Sequence, residues 1–504
     1  MEPFGTVTKF YPFLSDESRE IVETTLGAAD NYEDFLEKLI DLMKAQDIGL
    51  DLSVFIAVHT WTLTESRISN KLLPMIEDDV ILKPWAIGFS ERPLKEWASI
   101  YPPSVKQALK TSLKDWIRFH ILLMGTRCPD IVESQSYFDA AEEFLADNPD
   151  LKCFSTEIYY RLGNRIKADW DIEGALEQFE RALRIAEDHD DLFWIARCHF
   201  AMAVALKDSD LFRALELMEK AYKTYKALGM KLYIHSTAGD MGLFHSIIGE
   251  YDLALEFYNE DLKYEDHYSF SKRIMAVVLS RIHCEIENPK EALEWCEWAN
   301  DDASTTTSLI DRLDVQPEHS RIYYSLAVAR TLIQLGKLDG VSGLLDSIHE
   351  AVLKFGYDLE YAAFNTVMGL LDLAAGKVVE GFQILEEALA EAERLNVQVY
   401  VNSLLLELTK AELNHFDKID SKRTTDTSGP WMTRYGIHAR EKNYPGIKMQ
   451  HALLKAKYQE LIGENEAAIL TLQDALTFTN SPGVKTLMKR IQERLQELET
   501  SVDA

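Results

Sequence analysis

Several things are missing from this 504-residue sequence. Its five cysteines, Cys128, Cys153, Cys198, Cys284 and Cys296, lie far apart and form no Cys-x-x-Cys pair. That excludes a zinc-finger spacing and a disulfide framework, and leaves them as small core residues. Positive charge is scarce: 53 Lys and Arg stand against 83 Asp and Glu, a formal net charge of -30. A chain this acidic is a poor nucleic-acid binder, because phosphate binding is driven by Lys and Arg displacing counterions, and anionic membrane surfaces are disfavoured on the same ground. Long apolar runs are absent too. The run VFIAVHTWTL from Val54 is interrupted by His59 and is too short to span a bilayer, and the opening MEPFGTVTKFYPFLSDESRE lacks the basic-then-apolar order of a secretory signal. A cytoplasmic location is expected. No phosphate-cradling Gly-rich loop, His-Glu-x-x-His or Gly-x-Ser-x-Gly occurs, and His235, His245, His267 and His283 are scattered rather than clustered. We therefore expect no catalytic residues, no metal and no cofactor.

What is present is helical pattern. With 47% hydrophobic residues the chain can bury a large core. Over residues 1-150, Ser15 and Asn31 are positioned as N-caps before acidic first turns, and helices are predicted near 16-26, 32-46 and 52-66. Pro74, Pro84 and Pro93 mark a less regular connection. One long amphipathic helix is expected beyond Pro102 and Pro103, through Val105, Leu109, Trp116 and Ile121, and another over 131-145. This segment reads as a helical cap over the first of the units that follow, or as a regulatory, partner-binding domain.

From about residue 155 a repeat begins. The stretch Tyr159 to Ala186, YYRLGNRIKADWDIEGALEQFERALRIA, carries Tyr159, Leu162, Gly163, Ile166, Ala175, Phe179 and Ala182 at spacings that let two helices cross closely. The alanine opening each second helix recurs at Ala175, Ala214, Ala254 and Ala292, steps of 39, 40 and 38 residues. Gly249 is placed to end one first helix and Asp252 to cap the helix after it. The pattern resumes with Val341 and continues with Gly369, Gly381 and Leu385; a last unit shows Ala456, Gly463, Ala468 and Leu472. Irregular polar insertions fall near 301-316 and 415-429, and residues 483-504 read as a C-terminal capping helix.

These residues resemble the tetratricopeptide repeat, aromatic-x2-Leu-Gly-x2-Tyr followed by Ala-x3-Phe. The step near 40 exceeds the family's usual 34, and is similar to the extended repeats of archaeal and bacterial regulators. The resemblance implies an all-α, right-handed superhelical solenoid of hairpins over 151-482, after a helical N-terminal domain at 1-150. It also implies a non-catalytic scaffold that binds a protein or peptide in an open concave groove lined by the first helices. A ligand- or peptide-responsive regulatory receptor is the alternative.

Side chains one place after a small residue of a first helix, or about a turn away, point into such a groove. Asn164, Lys167, Arg197, Arg281, Tyr323, Arg330 and Lys457 meet this criterion. Cations along one face suit an acidic or carboxylate-ended peptide, as family members that clamp a terminal carboxylate use Asn, Lys and Arg there. The bland reading is ion pairing with neighbouring carboxylates. Trp194, Phe200, Tyr323 and Tyr324 also fit a packed core. The basic stretch around Lys418, Lys422, Arg423 and Arg434, with Thr424, Thr425, Thr427 and Ser428, reads as a docking arm or as a tolerated insertion.

Overall fold

The computed structural model describes residues 5-46, 48-63, 66-89, 94-112, 114-128, 130-263, 271-298, 318-355, 358-415, 429-478 and 480-502. Among these, α-helices joined by turns and short 3-10 segments make up the chain, and no strand occurs. Residues 301-316 and 416-428 of the two polar insertions, with Lys418, Lys422, Arg423, Thr424, Thr425, Thr427 and Ser428, lie outside the described residues. The chain forms two compact units, Met1–Thr237 and Ala238–Ala504.

In unit 1 the helices Asp16–Gly27 and Tyr32–Ala45 start where the caps require: Ser15 accepts from the Ser18 amide and Asn31 from the Asp34 amide. The region expected to be irregular is helical, with Ser66–Ile76, Lys83–Phe89 and Leu94–Thr111, the last carrying Pro102 and Pro103 in its interior. The single long helix expected beyond those prolines is instead two. The chain turns at Lys114, whose ψ is 129°, and a new helix runs Asp115–Gly125. Folding back lets Tyr101 donate to the Met124 carbonyl at 2.8 Å and buries both apolar faces, which one straight helix would leave uncovered.

Phe55, Trp116, His120 and Phe154 gather around Phe10, with the Phe10 and Phe154 ring centroids 4.7 Å apart. Phe154 ends the 3-10 turn that leads into the first hairpin, Ser155–Ala168 and Ile172–Asp188. The N-terminal helices thus pack on the entry to the repeats. The second hairpin, Leu192–Leu206 and Leu211–Leu228, is tied back by Lys9, whose ammonium lies 2.8 Å from its N-cap Asp191.

Small residues sit at matching crossings. A Cβ built on Gly163 would lie 2.6 Å from Phe179, one on Gly242 2.8 Å from Tyr258, and one on Gly369 2.7 Å from Leu385. In each case the opposing side chain stands four residues after the recurring small position, Ala175, Ala254 or Gly381. This shared register makes the hairpins tetratricopeptide-like. The turns repeat as well: two residues beyond six of the first helices the backbone is left-handed, at Trp170, Gly249, Glu287, Gly336, Gly376 and Gly463, while the turn after Leu192–Leu206 does without it.

Unit 2 continues the array through Ser271–Glu285 with Pro289–Trp298, Glu318–Gln334 with Val341–Phe355, and Asp358–Ala374 with Val378–Arg394. It ends with Gln398–Asn414, Pro430–Lys442, Pro445–Leu461, Asn465–Ala475 and Lys485–Val502. The array does not end open. Its last helices return onto the early helix Tyr251–Leu262, so that Tyr251, Ala254 and Tyr258 share one apolar core with Met449, Ala456, Leu472, Leu487 and Ile491. At the seam Gly446 donates to the Ile248 carbonyl at 3.1 Å, and a Cβ on Gly446 would overlap the Gly249 backbone. Asp252, expected to cap its own helix, instead accepts from the Thr486 amide at 2.9 Å and from its hydroxyl at 2.6 Å; the N-cap position belongs to Glu250. The Lys485–Val502 helix therefore covers an earlier hairpin of the same unit as well as its own neighbour.

Candidate functional site

Along the inner side of unit 2, five successive first helices contribute to one cavity of about 450 Å³. Leu243 comes from Lys231–Ile247, Val277 and Val278 from Ser271–Glu285, Leu326 and Ala327 from Glu318–Gln334, Val367 from Asp358–Ala374 and Val399 from Gln398–Asn414. Among the described residues no second helix lines it. Pairing each first helix with its own second helix turns the same face of every first helix inward, so the repeat itself assembles an apolar wall.

Arg281, Tyr323 and Arg330 meet in this cavity, 49 residues apart at the extremes. Arg330 is buried; its Nη2 donates to the Glu407 carboxylate at 3.0 Å and to Ser403 Oγ at 3.1 Å, while its Nε has no acceptor among the described residues. Arg281 donates from Nη2 to Ser246 Oγ at 3.1 Å and lies 3.5 Å from the Glu285 carboxylate. Tyr323 donates to Glu360 at 2.7 Å. Burial pushes the Glu407 carboxyl up, but Lys410 and Arg330 outweigh it and hold the group below the ordinary carboxylate range. The cations of this wall thus come with their own counter-charges, and what remains open to a ligand is mainly apolar.

Lys457 lies elsewhere, in a larger cavity of about 1220 Å³, and donates to Asn414 Oδ1 at 3.3 Å. Six carboxylates line that cavity, Glu285, Glu287, Glu407, Glu460, Glu493 and Glu497, with four cations, Lys410, Lys457, Arg490 and Arg494. Asn164 and Arg197 face a third cavity, of about 570 Å³, in unit 1. There Asn164 donates to the Tyr160 carbonyl at 3.0 Å, and the Arg197 guanidinium lies 4.9 Å and 5.0 Å from the Tyr160 and Tyr233 rings. Lys167 lines none of these three. Of the aromatics, Tyr324 is wholly buried, whereas Tyr323 and Trp194 each have one side in core and one on a cavity.

Spacing alone did not reveal Tyr400, Ser403 and Glu407, which lie on the helix after the next hairpin and complete the Arg330 environment. The sequence signal available for them was a polar residue recurring along an otherwise apolar helix, Gln398–Asn414, whose buried face includes Asn402, Ser403, Glu407 and Glu412. Among the described residues no group of three or more His, Cys, Asp or Glu is arranged to hold a metal ion, and no helix is long and apolar enough to cross a membrane.

No family model matches the sequence, and comparison with curated proteins returns no match. Solved structures similar to this chain include a Rap protein complexed with competence and sporulation factor, 13% identical, covering 69% of this chain and 99% of that one with a TM-score of 0.41. Yeast Tom70 is 12% identical, covering 98% and 97% with a TM-score of 0.33. A signal-transduction ATPase with a tetratricopeptide repeat sensor, from Pyrococcus horikoshii, is 11% identical, covering 97% and 66% with a TM-score of 0.29. At such identities and scores the fold is read from the hairpins themselves.

Proposed function

We propose that this chain is a non-catalytic interaction scaffold that receives an extended peptide, or a segment of a partner protein, in the apolar cavity of unit 2. One observation carries the reading: five consecutive first helices present aliphatic side chains to a single space, with Arg281, Arg330 and Tyr323 at its edge. A surface assembled one helix at a time suits a ligand with side chains at regular intervals. Because both arginines keep their own carboxylates, burial of the ligand's apolar side chains supplies most of the affinity. A carboxylate on the ligand adds a charge-assisted bond at the arginine edge without being required.

The test is selection of binders from a random-peptide library on the full chain, repeated on Ala327→Trp, which fills the cavity. Val379→Asp, on an exposed second-helix position, serves as control. The expected result is a set of peptides with spaced aliphatic residues that bind the parent and the control and lose at least tenfold in affinity on the filled variant. Peptides that bind all three equally would place recognition elsewhere.

A further inference from the structure

The apolar cavity of unit 2 adjoins the larger, charged one. One helical turn separates their linings: Arg330, Val367 and Ser403 face the first, and Gln334, Leu370 and Glu407, on the same helices, face the second. The ion pairs Arg281–Glu285 and Arg330–Glu407 stand at the boundary. A chain laid along these helices passes from one space into the other.

The charged cavity favours cations for two separate reasons. Its lining sets four cations against six carboxylates, a side-chain charge of 4 - 6 = -2. Those cations are already engaged: Arg490 lies 2.6 Å from Glu287, Arg494 2.6 Å from Glu497 and Lys410 3.7 Å from Glu407, while Lys457 donates to Asn414. Glu493, by contrast, has no partner among the described residues nearer than Lys489, at 3.7 Å. Helix ends add to the imbalance. Glu285, Gln334, Ala374 and Asn414 all line the cavity, and each is the last residue of its helix. Four helix C-termini, which carry partial negative charge, thus meet at one space, against the single N-terminus that Pro289 brings to it.

A further group names the kind of molecule. Gln450 stands in the wall of the charged cavity and is only 4% exposed. Its Oε1 accepts from the Tyr435 and Tyr251 hydroxyls at 3.1 Å and 3.3 Å, whereas its Nε2 has no acceptor among the described residues. A buried amide donor left without an acceptor is costly, and a peptide carbonyl entering the cavity supplies one. A metal ion or a polyamine does not. We propose that the two cavities act as one site for a peptide segment whose aliphatic residues fill the apolar cavity and whose adjoining lysine or arginine residues enter the charged one. This inference rests on the peptide reading of the apolar cavity and adds to it the charge of the ligand.

The experiment is calorimetric titration of the full chain at low salt with capped heptapeptides. In these, four aliphatic residues adjoin three lysines, three glutamines or three glutamates, each made in both orders. In one order the lysine peptide is expected to bind about tenfold tighter than its glutamine counterpart, the worth of one charge-assisted hydrogen bond, with the glutamate peptide weaker still. Raising the salt should shrink that advantage. Glu493→Lys combined with Glu497→Lys, both more than half exposed, should abolish it. If the double reversal disturbs folding, Glu493→Gln with Glu497→Gln should reduce the same advantage. Ala327→Trp should weaken every peptide that binds. The inference is overturned if the glutamine peptide binds as tightly as the lysine peptide, or if the lysine advantage survives the folded variants. It is overturned equally if spermidine alone matches the lysine peptide, which would assign the charged cavity to a free polycation. A glutamine peptide that matches the lysine peptide and is lost on Ala327→Trp leaves the apolar site standing without its charged extension, whereas no binding by any heptapeptide removes both.

Discussion

In unit 2 the cavity arginines carry their counter-charges with them: Arg330 reaches Glu407, and Arg281 reaches Glu285. In unit 1, Arg197 occupies a comparable place on a first helix, yet its company is two tyrosine rings and three further arginines. Both follow a buried alanine, Ala196 or Ala329, so the repeat positions them by the same rule. The repeat decides where a side chain points, and the long-range partner decides what that side chain offers. A paired cation leaves a mainly apolar wall, whereas Arg197 keeps its charge against two aromatic faces.

The contrast is broken most directly by removing partners. Glu407→Ala strands the buried Arg330 charge and is expected to cost unit 2 about 3–5 kcal/mol. Arg197→Met, which leaves no orphaned carboxylate behind, should cost unit 1 only about 1–2 kcal/mol of cation–π attraction. Urea titration with hydrogen exchange resolved by peptide separates the two units; equal losses would erase the distinction.

Acid sharpens the comparison next. Burial pulls His120 down to about 4 from an ordinary value near 6.5, so the unfolded chain binds the proton first as pH falls. The sign is therefore loss of stability on acidification, beginning near pH 6.5 and complete below about pH 4, worth about 3 kcal/mol at most. His438 and His451 in unit 2 are held down to about 4 by the same cause, so both units should soften over this window. Replacing His120 by Gln should reduce the unit 1 response, with His59 and His199, lowered by the same cause, carrying what remains, and should leave that of unit 2 unchanged, as followed by exchange rates at acid and neutral pH.

Two smaller effects test the shared register. Gly163→Val and Gly369→Val, one in each unit, force side chains into occupied crossings and should each destabilise by about 1–3 kcal/mol. Trp170 is 84% exposed and holds the left-handed turn conformation that four other hairpins assign to glycine. Trp170→Gly should stabilise unit 1 by about 1 kcal/mol, read as a rise in melting temperature. No change would mean that the indole earns its place through local packing.

The hairpins were legible because their causes are local: Gly163 against Phe179, and the caps Ser15 and Asn31, involve residues within about twenty positions of one another. The helix over Leu94–Thr111 was not, since Pro102 and Pro103 read as a break where the backbone continues through them. Three of the candidate residues share a cavity, Arg281 and Arg330 because they hold the same place in the register and Tyr323 because it lies two helical turns before Arg330 on the same face. Their charge state was hidden, as Arg330 finds Glu407 77 positions away. The return of the last helices onto Tyr251–Leu262 was equally invisible: it depends on the small rotation of each hairpin on the last, accumulated over the whole unit.

The backbone contact between Gly249 and Gly446 has a consequence for how the protein is made. Hairpins of a linear array can stack as each leaves the ribosome, but this seam must wait for 197 further residues, roughly 10–40 s of synthesis. Throughout that interval the apolar face of Tyr251, Ala254 and Tyr258 has only Met275, Leu279 and Ile282 of the next helix to cover it, and the part that the last helices bury stays exposed on a nascent chain. Chaperone capture during translation should therefore concentrate on this hairpin and end when the last helix arrives.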